Sequence, residues 1–251
     1  MTNIINQNKI AKNLDFEKLV EDLKDDKFLA EYKSKYDDYS PSLLPKLLGG
    51  LLVCVGDIVY GKAPSYIKFR AVEVVARVPY QSWSSAAYTL LTLCYTDEKR
   101  ALELANTKTF ARHANDNETM HVVVVSHIVA TEHKHASTFL HSIIPMLFSF
   151  FYFWMSYVLF LVNRKWSYEL NYLFENHAFS QYSIFVNRYE DKLKEKTVDS
   201  EFLKWYGRSC SNQYEFFLSV RNDELIHRNY SIQEIEKWEA SKVIIKDSER
   251  K

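Results

Sequence analysis

A chain of 251 residues, 47% hydrophobic and 25% charged, holds enough apolar material for one sizeable domain or two small ones. Basic and acidic residues number 32 each, so no overall positive field exists to gather nucleic acid, and nucleic acid is set aside as a partner. Three isolated cysteines argue against a disulfide framework or a thiolate metal site, leaving a reducing compartment as the expectation.

Only 5 Gly and 5 Pro stand against 17 Tyr and 16 Phe, a balance that favours long helices over many short strands. Residues 1–40 are polar and mixed in charge. They lack the apolar core of a secretory signal and the Arg-rich, acid-poor composition of a transit peptide. The spacing in LDFEKLVEDL, residues 14–23, predicts a short peripheral helix on an N-terminal arm. The apolar stretch 42–60 is interrupted by Pro45 and Gly49–Gly50 and reads as too broken for a membrane span.

A helix is predicted over 66–78, ending at Pro79, and helical periodicity continues through SSAAYTLLTLCYTDEKRALELANTKTFARHA. Segment 116–130 follows, with Asp116 read as a helix cap. Its β-branched run 122–125 would suit a strand, yet helix is favoured because no turn residues separate it from helical neighbours. Residues 143–162 carry no charge over twenty positions and meet Asn163-Arg164-Lys165, which admits a transmembrane, an interfacial or a fully buried helix. Helices over 168–189 and around NDELIH come next, then a charged tail. The division expected is an arm at 1–40, a helical-bundle domain at 41–230 and a tail at 231–251.

The motifs lie in the bundle domain. NETMH and NDELIH share the pattern Glu-x-x-His, placing Glu118 with His121, and Glu224 with His227, on one helical face. Glu132 and His135 share the spacing too, but TEHKHAST has no apolar face behind it and reads as a solvated loop or helix end. Two such pairs plus one lone Glu from each of two further helices form the recurring ligand set of carboxylate-bridged di-iron sites in four-helix bundles. Glu73 in VEVVA and Glu175 in NYLFENHAF interrupt apolar faces, where a carboxylate is costly without a partner. The order Glu73, Glu118 with His121, Glu175, Glu224 with His227 leaves room for a helix and a connection in each gap. His113, His127, His133, His141 and His177 receive no role.

IKFRAVEVVARVPY, NETMH, ENHAFSQY and RNDELIH, in that order over residues 42–230, resemble the four ligand helices of the alternative oxidase family, and the ARVPY string is most similar to its plastid terminal oxidase branch. The resemblance implies an all-α, ferritin-like four-helix bundle carrying two Fe ions. It implies a membrane-associated enzyme that oxidises plastoquinol or ubiquinol and reduces O2 to water without pumping protons. The iron ligands it implies are Glu73, Glu118, His121, Glu175, Glu224 and His227. Asn117 and Asp223 match residues that orient ligand groups, and Tyr182, seven after Glu175, matches a tyrosine near the metals with a proposed redox part. Lys68, Val72 and Ala178 match the quinol pocket, although Lys68 stands where many members have Arg, whose planar fork it lacks. The resemblance further implies helices at 43–60 and 143–162 that dip into one lipid leaflet, favouring the interfacial reading, and a homodimer. Against this stand a di-iron quinone-ring hydroxylase and a metal-free integral membrane protein.

Overall fold

The computed structural model describes residues 14–132 and 135–248, and among these the chain is helical without strands. The helices are α1 (Leu14–Asp22), α2 (Asp26–Ser34), α3 (Leu43–Tyr60), α4 (Tyr66–Ala76), α5 (Val78–Cys94), α6 (Glu98–Thr131), a π-helical turn (Phe139–Ile143), α7 (Ile144–Val162), α8 (Arg164–Lys194), α9 (Glu201–Tyr206) and α10 (Gln213–Ser248). Residues 1–13 of the arm, His133, and the last residues of the charged tail lie outside the described residues.

Helices α4, α6, α8 and α10 form the central bundle, with α8 and α10 in the most extensive contact. Each opens on a polar side chain that accepts an otherwise unpaired amide. Ser65 takes Lys68 N, Asp97 takes Arg100 N, Asn163 takes Lys165 N and Asn212 takes Glu215 N. Two aromatic-rich cores fill the bundle: Phe69, Tyr182, Phe185, Phe216 and Phe217 form one with Met120, and Tyr80, Trp83, Phe160 and Tyr168 the other. A polar layer described below lies between the two phenols, Tyr182 and Tyr80, that these cores contribute.

Several boundaries differ from expectation for simple reasons. Residues 43–60 form one unbroken helix, because Pro45 falls in the first turn, where no intrahelical donor is required. Pro79 likewise opens α5 rather than ending a helix there. Asp116 is no cap: α6 runs through it for 34 residues, and its start is capped by Asp97 instead. The β-branched run is helical, with Val124 and Val125 fully buried. Residues 231–248 prolong α10, and Ile232 and Ile235 are buried.

Residues 14–37 form a strap along the outer face of α10. Phe16, Val20 and Leu23 are buried against Leu225, Ile226 and Phe179. Asn222 Nδ2 donates to Val20 O at 2.9 Å and Asn229 Nδ2 to Tyr32 O at 2.7 Å. Arg228, with no solvent exposure, donates to Lys33 O and, at 2.8 Å, to Asp37 Oδ1.

Helices α3 and α7 are apolar and face outward. Leu43, Leu47, Leu51 and Ile58 on α3, and Phe150, Phe151, Trp154 and Val158 on α7, are all exposed. By length and composition both are able to cross a membrane, yet only 11% and 22% of their apolar windows are buried. Helix α3 is seated on α8 at Gly49, where an added Cβ would come within 3.2 Å of Leu173 Cδ1, whereas Gly50 faces open space. Gly50→Ala is therefore expected to raise the thermal midpoint, gaining up to about 1 kcal/mol of helix propensity. Gly49→Leu is expected to lower it by the equivalent of about 1–3 kcal/mol through overpacking. Equal responses of the two variants in a melting experiment would rule out this seating.

Candidate metal centre

The four bundle helices each send carboxylate or imidazole groups to one level. Glu73 comes from α4, Glu118 and His121 from α6, Glu175 from α8, and Glu224 and His227 from α10. All six are buried. They fall into two overlapping groups, Glu73, Glu118, His121, Glu224 and Glu118, Glu175, Glu224, His227, within each of which one ligand atom per residue lies within 4.8 Å of the others. Glu118 and Glu224 belong to both. The Glu-x-x-His spacing predicts this, since residues three apart on a helix share a face.

Distances within the cluster are short. His121 Nδ1 lies 3.3 Å from Glu118, 3.5 Å from Glu73 and 3.5 Å from Glu224, and His227 Nδ1 lies 2.8 Å from Glu118 Oε1. None of these approaches has the geometry of a hydrogen bond. Both oxygens of Glu118 and of Glu224, Glu73 Oε2, and the Nδ1 atoms of both imidazoles have no hydrogen-bond partner. Buried polar groups are normally satisfied, and a set of orphaned donor atoms converging from four helices fits hard or borderline cations with oxygen and nitrogen ligands. Four ionised carboxylates beside neutral imidazoles carry four negative charges, which two divalent cations would balance.

The outward-facing atoms are held. Tyr182 Oη donates to Glu73 Oε1, and Tyr80 Oη donates to Glu175 Oε1 at 2.5 Å. Thus Glu73 accepts a phenol from α8, the helix that bears Glu175, and Glu175 accepts one from α5, the helix that follows Glu73's own α4. Phe69 stacks on Tyr182, ring centroids 4.0 Å apart. Asn171 Nδ2 bridges Tyr80 Oη and Ser231 Oγ at 3.0 and 3.1 Å. His121 Nε2 sits 2.8 Å from Asp223 Oδ2, an arrangement that fixes ring orientation and raises ligand basicity. Asn117 Nδ2 donates to Tyr206 Oη at 3.0 Å and to Asp223 Oδ2 at 3.3 Å.

The electrostatics follow from burial and crowding. Burial pushes the Glu73 carboxyl up to about 7 against the pull of His121. Burial and the neighbouring Glu118 and Glu175 push Glu224 well above the ordinary carboxylate range. Glu118 is lowered, because two imidazoles outweigh its burial. His121 is raised well above its usual value, since Glu118 and Asp223 outweigh desolvation. Burial alone would raise Asp223, but Arg208 and His121 hold it low.

Lys68, Val72 and Ala178 share a cavity of about 160 Å³ that runs from α3 and α7 to Glu73, Glu175 and Tyr182. Leu52, Val53 and Tyr60 of α3 and Pro145, Phe148 and Tyr152 of α7 line it, and so do His177 and Gln181. The Lys68 ammonium is already engaged: it donates to Asp57 Oδ1 at 3.0 Å and to Gly61 O at 2.7 Å, tying the end of α3 to α4. Gly61 permits this with a positive φ of 82°. The Gln181 side-chain oxygen is buried without a partner. His227 lines a larger cavity of about 440 Å³ with Phe16, Phe110, His113, Glu103 and Arg164.

Glu132 and His135 stand apart from the cluster: Glu132 caps the end of α6 and pairs with Lys196, and His135 is exposed. Tyr80, Tyr206 and Arg208 escape the sequence reading. For Tyr80 a signal existed, because it follows Glu73 by seven residues as Tyr182 follows Glu175. Tyr206 and Arg208 lie on and after α9, outside any motif.

The description "Alternative oxidase" belongs to the family model that matches residues 55–234 of this chain. Among curated proteins, ubiquinol oxidase 4, chloroplastic/chromoplastic, of Arabidopsis thaliana is 20% identical over 183 residues, covering 65% of this chain and 49% of that protein. The chain therefore spans about half the length of the relative it matches.

The pKa shifts set how the metal-free protein responds to pH. A carboxyl raised in the folded state withdraws stability as pH climbs from its unfolded value, so Glu73 does so between 4.5 and about 7. Glu224 acts in the same sense, and His121, raised, stabilises fully below 6.5 and loses that contribution as pH rises through its higher folded value. Glu118, lowered, opposes this only below 4.5. The melting temperature of metal-free protein is expected to fall as pH rises from about 5 to about 8. Added Fe2+ is expected to raise it more at the upper end, where fewer protons must be displaced. A melting temperature that climbs over that range contradicts the charge assignment.

Proposed function

This chain belongs to the alternative oxidase family, and from that premise we propose that it is a di-iron quinol oxidase, oxidising two quinols per O2 and yielding two waters. The observation that carries the proposal is the pair of overlapping Glu/His groups with orphaned donor atoms at the level where the four bundle helices meet. Glu73, Glu118, His121 and Glu224 would hold one iron, and Glu118, Glu175, Glu224 and His227 the other, Glu118 and Glu224 being common to both. Iron bound there would supply the redox chemistry of oxygen reduction, which no side chain provides.

The chain's own residues do the rest. Tyr182 keeps its proton on the phenol oxygen and directs it at Glu73, and burial with the adjacent carboxylates holds that proton tightly. Tyr80 does the same for Glu175. The 160 Å³ cavity admits an apolar ring and delivers it to the Glu73, Glu175 and Tyr182 side of the cluster. Val72 and Ala178 furnish its walls, and the unpartnered Gln181 oxygen is free to accept a quinol hydroxyl. Lys68 shapes the cavity mouth through its bonds to Asp57 and Gly61. Each quinol gives up two electrons and two protons, so two quinols and one O2 balance as two quinones and two waters with no net proton consumed.

Membrane association is part of the proposal. The exposed apolar sides of α3 and α7 border the same cavity, which supports a face set into one lipid leaflet with quinol entering directly from it. Pairing of two chains, which the family implies, is read out by the mass of the detergent-solubilised protein.

Iron analysis of the purified chain is expected to give about two irons per molecule, a stoichiometry taken from the di-iron ligand set. Glu118→Ala, which removes a residue common to both groups, is expected to abolish O2 uptake with quinol and to lose iron. Retention of full quinol oxidase activity by this variant ends the proposal, and a hydroxylated ring among the products would turn it toward a hydroxylase. For the membrane face, Phe150→Glu with Trp154→Glu is expected to release most of the protein from floating liposomes while leaving iron content unchanged. Undiminished flotation rules out α7 as the lipid contact.

A further inference from the structure

Glu17, on α1, lies 207 residues before Glu224 in the chain yet reaches the Glu/His cluster through two intermediaries. Arg208 donates to it twice, Nε at 3.1 Å and Nη2 at 2.8 Å. The same guanidinium grips both oxygens of Asp223, Nη2 to Oδ1 at 3.0 Å and Nη1 to Oδ2 at 2.5 Å, and Asp223 Oδ2 is the partner of His121 Nε2. Arg208 is 6% exposed, and Asp223 and His121 are not exposed at all. Gly207, with φ of 94° at the end of α9, turns the chain so that Arg208 doubles back beneath Asp223. One residue before Glu17, Phe16 packs against the ring of His227, centroids 6.0 Å apart.

The charges explain why a third member is useful. A guanidinium paired with Asp223 alone would draw that carboxylate's charge away from His121. A second carboxylate on the far side of Arg208 shares the cation, so Asp223 keeps its strength as acceptor for the imidazole. The bidentate forks at both ends fix the geometry as well as the charge. An exposed arm has no need of such a chain, since a surface ion pair contributes little to stability.

We infer that α1 is a positioning element of the metal centre, with Glu17 acting on His121 through Arg208 and Asp223, and Phe16 bracing the ring of His227. This rests on the reading of the cluster as an iron site. Glu17 touches neither iron nor quinol, and its influence is on how firmly His121 is presented.

The test uses the full chain and Glu17→Gln, which keeps the shape and removes the charge at a partly exposed position. Iron retention against a competing chelator and the electron paramagnetic resonance signal of the half-reduced centre are the readouts, with the melting temperature of metal-free protein as a control. Glu17→Gln is expected to weaken iron retention on the order of tenfold, at the lower end of what outer partners of metal ligands contribute, and to shift the resonance signal. The metal-free melting temperature is expected to stay put and Glu17→Asp to recover most of the loss. In an Asp223→Asn background the same change is expected to add nothing, because the route to His121 is already cut. Wild-type retention and signal in Glu17→Gln, or a full additive loss in the Asp223→Asn background, overturns the inference while leaving the iron site intact. A wild-type chain that takes up no iron overturns both.

Discussion

Four carboxylates forced into one dry layer, with no lysine or arginine among them, are the constraint around which this molecule is organised. Such a layer is unstable on its own, since burial and mutual repulsion both disfavour ionisation. The structure answers in part with hydrogen bonds: a phenol on Glu73, another on Glu175, an aspartate behind His121. These satisfy the outward atoms only. The inward ones, both oxygens of Glu118 and of Glu224 and Glu73 Oε2, are left without hydrogen bonds, and the capped helices and flanking aromatic cores keep them converged.

The arrangement has an internal near-symmetry that the chain order already encodes. Glu73 with Tyr80 and Glu175 with Tyr182 repeat one spacing, and Glu118 with His121 and Glu224 with His227 repeat another. The phenols cross over: the tyrosine seven after each lone glutamate bonds the other glutamate. The symmetry breaks at the residues before the paired glutamates. Asp223 accepts from His121, whereas its counterpart Asn117 serves Tyr206 and Asp223, and His227 Nε2 has no hydrogen-bond partner. The two halves of the cluster are thereby unequal in charge and support.

What was legible in the sequence was whatever a helix's own periodicity determines. The Glu-x-x-His pairs and the lone carboxylates on apolar faces pointed inward because residue spacing fixes direction on a helix. Partners across helices are not fixed by spacing, which is why Tyr182 was tied to Glu175's face when it bonds Glu73, and why Tyr80 was passed over. Arg208 sits in an irregular stretch after α9, aimed by one glycine with positive φ, and no local pattern announces it. Residues 14–37 fall within the stretch 1–40 that reads as an arm with one short peripheral helix, because its composition is polar and mixed in charge. Few apolar side chains, Phe16, Val20 and Leu23, bury them, and much of the further grip comes from Asn222, Arg228 and Asn229 reaching their backbone carbonyls, with Arg208 on Glu17. Carbonyl acceptors are invisible to composition.

That strap makes the order of synthesis matter. Residues 14–37 precede in the chain, and so in synthesis, the surface on α10 that receives them. Until α10 has been made, the earlier segment lacks the surface it lies against and Glu224 and His227 are missing from the cluster. A chain that stops short of α10 therefore has four of the six cluster residues and no seat for the strap. The strap and the cluster are thereby tied to the same helix: both wait on α10.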